Sequence, residues 1–183
     1  AAFIAAETAR IGLRDWQLIE IAHPTDGQAT TVLHAAPALK SDAPLLIYNI
    51  DTYVEPQALP HTAFRGDGWI PCFPGLGEAW SFARAEAGSL RVIEVREKKR
   101  ISAHASIGLY GFSSYARYAE LYAEFYRSNA KMEAGERYIA PMYNLLIAER
   151  GMVYLHPVPL EAMHPLGTPE EYQAFCAKLP HGS

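Results

Sequence analysis

Leu45-Leu46-Ile47-Tyr48-Asn49-Ile50-Asp51 is a mainly apolar run that ends abruptly in an acid, with Thr52-Tyr53-Val54-Glu55-Pro56 directly behind it. Its apolar side chains follow one another without alternating with charge. That pattern predicts a strand covered on both faces, as in a parallel sheet. In open sheets of this kind, ligands bind beyond the carboxyl ends of the strands. An Asp at that end is therefore placed to hold a divalent cation against a phosphate. Asp51 would serve equally to start a turn, and the local pattern leaves both roles open.

Upstream, Trp16-Gln17-Leu18-Ile19-Glu20-Ile21 alternates like a strand. The breakers His23-Pro24-Thr25-Asp26-Gly27 follow, and residues 28–39 read as a helix with Val32, Leu33, Ala36 and Leu39 on one side. Strand, helix and buried strand in that order predict a βαβ unit and an α/β fold with a parallel sheet.

Downstream the texture changes. Trp69-Ile70-Pro71-Cys72-Phe73, Trp80-Ser81-Phe82-Ala83-Arg84 and Leu90-Arg91-Val92-Ile93-Glu94-Val95 read as short strands, with Ala87-Gly88-Ser89 as a hairpin tip. Residues 104–112 form another apolar strand. Ser113-Ser114 opens a helix reaching about residue 130, whose Tyr115, Tyr118, Leu121, Tyr122 and Phe125 make an inward stripe. Residues 139–149 predict a further helix and residues 152–155 a strand. Thr168-Pro169-Glu170-Glu171 starts a last helix, with Thr168 as N-cap, Pro169 in the first turn and Glu171 closing a capping box. Tyr172 and Phe175 are expected to face inward from it.

The 183 residues suit one domain, and 50% hydrophobic with 20% charged residues is the composition of a globular protein. A net charge of −4, with Lys98-Lys99-Arg100 as the densest basic run, argues against nucleic acid or an anionic membrane as the main partner. Cys72 and Cys176 lack paired spacing, and the seven His residues form no His-x-x-x-His pair, so a dedicated zinc site is set aside. No apolar segment nears the ~20 residues that span a bilayer. The opening Ala1-Ala2-Phe3-Ile4-Ala5-Ala6 lacks the basic flank of a signal peptide, and a cytoplasmic location is the expectation. The chain starts without Met, inside a helix over residues 1–11 closed by Gly12, which predicts a further segment upstream.

Three clusters carry candidate chemistry. The turn Thr25-Asp26-Gly27-Gln28-Ala29-Thr30 opens a helix, where free backbone N–H groups can face an anion or a base edge. Lys98 follows a strand and can pair with a phosphate, while Gly108 in Ile107-Gly108-Leu109-Tyr110 permits close approach to the backbone. Glu136 in Gly135-Glu136-Arg137-Tyr138 stands at a helix start and can accept sugar hydroxyls. Each also has a plain structural role open to it, as turn, solvated charge or cap. No G-x-S-x-G occurs and neither Cys has a neighbouring His, so a nucleophilic Ser or Cys is not indicated.

In order along the chain, these pieces resemble the sugar-1-phosphate nucleotidyltransferases of the glucose-1-phosphate thymidylyltransferase type. The resemblance rests on Asp26-Gly27-Gln28-Ala29, residues 45–51, Trp80-Ser81-Phe82, Val95-Arg96-Glu97-Lys98, Ala105-Ser106-Ile107-Gly108-Leu109-Tyr110, Gly135-Glu136-Arg137-Tyr138 and Leu166-Gly167-Thr168-Pro169-Glu170. It implies a Rossmann-like mixed or parallel sheet with flanking helices and a small β region for the sugar. Residues 1–68 would form a nucleotide-binding half and residues 69–183 a sugar-binding half of one domain.

The implied reaction joins an NTP to a sugar 1-phosphate. The sugar phosphate attacks the α-phosphorus, pyrophosphate leaves, and the nucleotide sugar feeds polysaccharide synthesis. By the same resemblance Asp51 would hold Mg²⁺, and Gly27 and Gln28 would lie against the base. Glu97 and Glu136 would contact sugar hydroxyls, Lys98 the sugar phosphate, and Gly108 the ring face. A homo-oligomer built on the tyrosine-rich helix is compatible with this reading.

The chain departs from the family pattern twice. The G-x-G-x-R phosphate loop and the Pro-Lys-Pro lysine are absent from residues 1–183, so these residues are expected to be part of a longer protein. The second metal-binding Asp, two residues before Gly-Thr in many members, is replaced by Pro165. A soft nitrogen from His164 would suit Mg²⁺ badly. Two further readings follow: a binding or regulatory domain on the same fold, and a metal-dependent glycosyltransferase using Asn49-Ile50-Asp51 as a degenerate Asp-x-Asp motif.

Overall fold

A computed structural model describes residues 1–128, 132 and 135–179. The order of elements is α1 (Ala2–Arg10), α2 (Gln28–Leu33), β1 (Leu45–Tyr48), β2 (Thr52–Val54), β3 (Gly68–Pro74), β4 (Ser81–Ala85), β5 (Val92–Glu97), β6 (His104–Ser106), β7 (Leu109–Phe112), α3 (Tyr115–Phe125), α4 (Tyr143–Ala148), β8 (Val153–Pro157), β9 (Met163–Pro165) and α5 (Pro169–Cys176). The class is α/β, a sheet with flanking helices, as the resemblance implies.

Seven strands form the main sheet in the order β1-β7-β3-β6-β4-β5, with β8 alongside β3. Only β3 and β8 pair in parallel, and every other pairing in the sheet is antiparallel. The expected parallel sheet is thus corrected to a mixed, mostly antiparallel one. A separate ribbon pairs β2 with β9.

The reading of residues 45–51 as buried on both faces fails for a physical reason. β1 lies at the sheet edge, where Leu45 and Ile47 enter the core while Leu46 and Tyr48 remain 55% and 45% exposed. An apolar run at an edge strand looks in sequence like one in a central strand. The predicted strand over residues 16–21 is also absent: Trp16, Leu18, Ile19 and Ile21 lie in irregular backbone, each more than a third exposed. Without that strand the βαβ unit expected over residues 16–51 does not form.

The helix predicted over residues 28–39 stops at Leu33. Pro37 has no N–H to donate to the Leu33 carbonyl four residues back, and its ring crowds that oxygen; a 3₁₀ turn at Ala36–Ala38 takes over. Residues 104–112 divide at Gly108, whose φ of +80° breaks the ladder into β6 and β7. Residues 129–131, the end of the predicted long helix, lie outside the described residues, and α3 ends at Phe125.

Alternation along the strands splits the core in two. Ile70, Cys72, Tyr110 and Phe112 pack with Tyr118 and Leu121 of α3 and Leu146 of α4. Trp69, Phe73, Phe82, Ile107 and Leu109 pack with Val54 and Met163 of the β2–β9 ribbon. Fully burying a side chain such as Ile70 or Leu155 contributes ~1.5–3 kcal/mol over leaving it in water. Tyr118 and Leu121 of the tyrosine-rich helix belong to this core, while Tyr115, Tyr122 and Phe125 are partly buried against it. In α5, Phe175 packs on Tyr53 and His164, but Tyr172 is 58% exposed and does not face inward.

Candidate active site

A cleft of about 650 Å³ opens where the ends of β1, β4, β5 and β7 meet the start of α5. Of the seven candidate residues, Gln28, Asp51, Glu97, Gly108 and Glu136 line it together. Lys98 and Gly27 stand just outside.

The hairpin of β4 and β5 places Glu97. Ser81 lies opposite it in the register, and the Ser81 hydroxyl donates to Glu97 Oε2, both side chains being more than nine-tenths buried. The Tyr110 hydroxyl sits 3.2 Å from Ser81 Oγ, and burial pushes its pKa up to about 12. Ser106 Oγ accepts the Gly108 N–H at 3.1 Å, which extends this polar floor beneath the cleft.

One residue on, Lys98 adopts a left-handed backbone with φ of +47°, and its N–H donates to the Trp80 carbonyl at 3.0 Å. Its ammonium turns to Tyr138, donating to the hydroxyl at 2.6 Å and lying 4.7 Å from the ring centroid. The Tyr138 hydrogen bond, then the charges of Glu97 and Glu136, raise the Lys98 pKa. The cation therefore stays charged at neutral pH. Glu136 also hydrogen-bonds Tyr138.

Asp51 is exposed in the turn between β1 and β2. Its carbonyl accepts the Leu166 N–H at 2.7 Å, and Thr52 pairs with Pro165, so the ribbon brings the start of α5 beside it. A Cβ on Gly167 would stand 3.6 Å from Asp51 Oδ2 and 3.7 Å from Glu171 Oε2. The two carboxylates thus flank the bare backbone of Gly167. The Tyr48 hydroxyl donates to the Thr52 carbonyl at 2.7 Å, and burial, then the nearby Asp51 charge, raises its pKa.

Gly27 is placed by close approach rather than by the cleft. At φ of +130° it packs so tightly on Arg137 that a Cβ would fall 2.5 Å from the Arg137 carbonyl oxygen. Arg137 N–H donates to Asp26 O at 2.7 Å and Ala29 N–H to Arg137 O at 3.1 Å, clasping the loop. Gln28, next in sequence, does face the cleft, and its Nε2 donates to Asn49 Oδ1.

Ser81, Tyr110, Tyr138 and Glu171 also line the cleft without a site role from sequence reasoning, as does Asn49, which entered only through the degenerate Asp-x-Asp motif of the glycosyltransferase reading. Asn49, two residues before Asp51, and Tyr138, two after Glu136, carried a spacing signal. Ser81 and Tyr110 meet Glu97 only through strand register. Pro165 lines the cleft where the resemblance calls for a second Asp. His164 instead stacks on Tyr53 at 5.9 Å, with Glu55 3.5 Å from its Nε2, and is not among the lining residues.

For a metal, no three His, Cys, Asp or Glu side chains converge among the described residues. Mg²⁺ ordinarily takes one or two carboxylates, with waters and substrate phosphates completing its shell. The hard oxygens of Asp51 and Glu171 across Gly167 fit that need. Among the described residues no helix is long and apolar enough to cross a membrane.

The fold and this cleft define the class of nucleotidyltransferase-type α/β proteins. The nucleoside-diphosphate-sugar pyrophosphorylase from Vibrio cholerae RC9 superposes with a TM-score of 0.88 at 33% identity, over 97% of this chain and 75% of that one. The chain belongs to the nucleoside-diphosphate-sugar pyrophosphorylase family. Two more distant structures share the fold. A protein from Bacillus anthracis described as a glucose-1-phosphate thymidylyltransferase, in complex with sucrose, gives a TM-score of 0.69 at 14% identity, covering 100% of this chain and 74% of its own. The inositol-1-phosphate CTP transferase from T. maritima gives 0.60 at 11%, covering 80% and 58%. No protein-family model and no curated protein matches the sequence.

Proposed function

We propose that the chain transfers a nucleoside monophosphate from an NTP to a sugar 1-phosphate, forming a nucleotide sugar for polysaccharide synthesis. The observation carrying this reading is the convergence of Gln28, Asp51, Glu97, Gly108 and Glu136 on one cleft. Residues 1–68 supply its nucleotide end and residues 69–183 its sugar end. Gln28, oriented by Asn49, lies against the base, with Gly27 shaping the loop that presents it. Glu97 and Glu136 accept sugar hydroxyls, and Gly108 leaves room for the ring. Lys98, protonated and hinged on Tyr138, reaches the sugar phosphate with its remaining N–H donors.

A sugar-phosphate oxygen then forms a bond to the α-phosphorus as the bond to the β-phosphate oxygen breaks and pyrophosphate departs. Such a step needs positioning and charge neutralisation rather than a covalent nucleophile. Mg²⁺ held by Asp51, with Glu171 beside it, supplies that neutralisation when bound. The test is pyrophosphate release by the full-length protein across NTP and sugar 1-phosphate pairs with and without Mg²⁺. Release lost on chelation and in Asp51→Asn supports the reading, and no release from any pair sinks it.

One observation favours a second reading, a domain that binds nucleotide sugars without turnover. Pro165 occupies the expected second-Asp position, and among the described residues no Lys, Arg or His lines the cleft. Tight nucleotide-sugar binding with no pyrophosphate release from any pair would select it.

A further inference from the structure

Resting on the sugar 1-phosphate reading above, we infer that Asn144 is a positioning residue for the sugar end of the cleft, although it is not among the residues lining it. It locks the strand that carries Glu97 and leads into Lys98 to the segment that carries Glu136 and Tyr138. One amide side chain makes three hydrogen bonds. Its Oδ1 accepts the Val95 N–H at 2.9 Å, and its Nδ2 donates to the Val95 carbonyl at 2.7 Å and to the Pro141 carbonyl at 3.1 Å. Val95 stands two residues before Glu97 on β5, and Pro141 three residues after Tyr138. The orientation of the amide follows from these partners, since only its oxygen accepts and only its nitrogen donates.

The place of this contact in the fold gives it that role. β5 is the last strand in the sheet order, and at Val95 the Asn144 amide meets both backbone groups as a neighbouring strand would. Asn is a weak helix former; in the first turn of α4 its side chain reaches back to the carbonyl three residues earlier and across to β5. Val95 also shares a core cluster with Ile139, Ala140, Met142 and Tyr143. That apolar contact is non-directional and sets how closely the two segments approach. Hydrogen bonds, confined to a narrow range of distance and angle, set where along the strand they meet. Side chains two apart on a strand face the same way, so the register of Val95 is also the register of Glu97. At the cleft the same two segments are joined by Lys98 Nζ and the Tyr138 hydroxyl, a contact open to solvent. Asn144 is the anchor behind it. Gln28 is held separately, by Asn49 and by the clasp of Arg137 on the adjoining loop. A slip of β5 therefore displaces Glu97 and Lys98 at the sugar end and spares the nucleotide end.

The experiment measures pyrophosphate release by the full-length protein in Mg²⁺, with glucose, galactose, mannose and glucosamine 1-phosphates offered against each NTP. KM values are then taken for both members of the pair that the wild type turns over fastest. Asn144→Leu keeps the side-chain volume and removes all three hydrogen bonds. Asn144→Asp keeps the shape and an acceptor for the Val95 N–H, but offers no donor to either carbonyl. In both variants KM for the sugar 1-phosphate should rise about tenfold while KM for the NTP stays within about twofold of the wild type. A side chain that only supports the fold would move neither KM, or both together. A sugar KM within about twofold of the wild type, in a variant whose circular dichroism shows it folded, overturns the anchor and leaves the sugar 1-phosphate reading standing. Failure of both variants to fold also overturns the positioning role, making Asn144 a folding residue. No release by the wild type from any pair overturns that reading, and the anchor with it.

Discussion

The Asn49 side chain rests on the bare α-carbon of Gly108, where a Cβ would fall 2.8 Å from Asn49 Nδ2 and 3.0 Å from its Cγ. Gly108 also holds φ at +80°, a backbone region that L side chains seldom adopt. Asn49 N–H donates to the Gly108 carbonyl at 3.0 Å, and its side-chain carbonyl accepts from Gln28. Gly108→Ala therefore strains the backbone and pushes Asn49 off Gln28 at once. We expect a loss of ~1–3 kcal/mol in urea unfolding, with weaker nucleotide binding. An alanine variant as stable as the wild type would show that Asn49 moves aside freely.

Thr168 sets the start of α5 beside Asp51. Its hydroxyl accepts the Glu171 N–H at 3.2 Å, and Glu171 Oε2 accepts the Thr168 N–H at 3.0 Å. Thr168→Ala should cost ~1 kcal/mol of stability, and Thr168→Ser should retain nearly all of it. Equal losses in the two variants would mean that the methyl group, not the hydroxyl, is what matters.

These two sites also show what was legible in sequence. The Thr168 capping box, the Ser114 cap on α3 and the hairpin tip at Ala87-Gly88-Ser89 are written within a few residues, and the structure contains each of them. The order of motifs placed five candidates around one cleft. Strand direction was not legible, because an apolar run such as residues 45–51 has the same pattern whether its neighbour runs parallel or antiparallel. The alternation over residues 16–21 has no partner strand among the described residues, and period alone cannot supply one. Gly27 and Gly108 both hold positive φ, yet Gly27 meets Arg137, 110 positions away in number, rather than the cleft. Ser81 and Tyr110 reach Glu97 only once the register is set, so no local motif could reveal them.

The buried tyrosines make the fold sensitive to alkali. Burial is the largest cause raising the pKa of Tyr110, to about 12, and it acts in the same direction on Tyr118 and Tyr143. The folded chain thus holds these protons more tightly than the unfolded chain, where tyrosine releases them near pH 10. Their stabilisation is complete below about pH 10 and declines above it, that of Tyr110 being lost as pH rises through about 12. Tyrosinate absorbance and loss of tertiary circular dichroism should therefore rise together in that window. Smooth ionisation of all 11 tyrosines near pH 10 with the fold intact would contradict this.

The Ser81–Glu97 pair is the last point at which the fold and the site can be separated. The Ser81 hydroxyl donates to Glu97 Oε2 where both side chains are nearly out of solvent. Removing one donor from a buried carboxylate costs ~1.5–3 kcal/mol, whereas removing the charge as well relieves much of that cost. Ser81→Ala should destabilise the wild type by that amount but the Glu97→Gln background by clearly less. Urea unfolding of both single variants and the double variant gives a coupling of about 1 kcal/mol or more if the hydrogen bond holds the carboxylate. Strict additivity would show that Ser81 merely fills space beside Glu97, and that the carboxylate's position in the cleft is set by β5 alone.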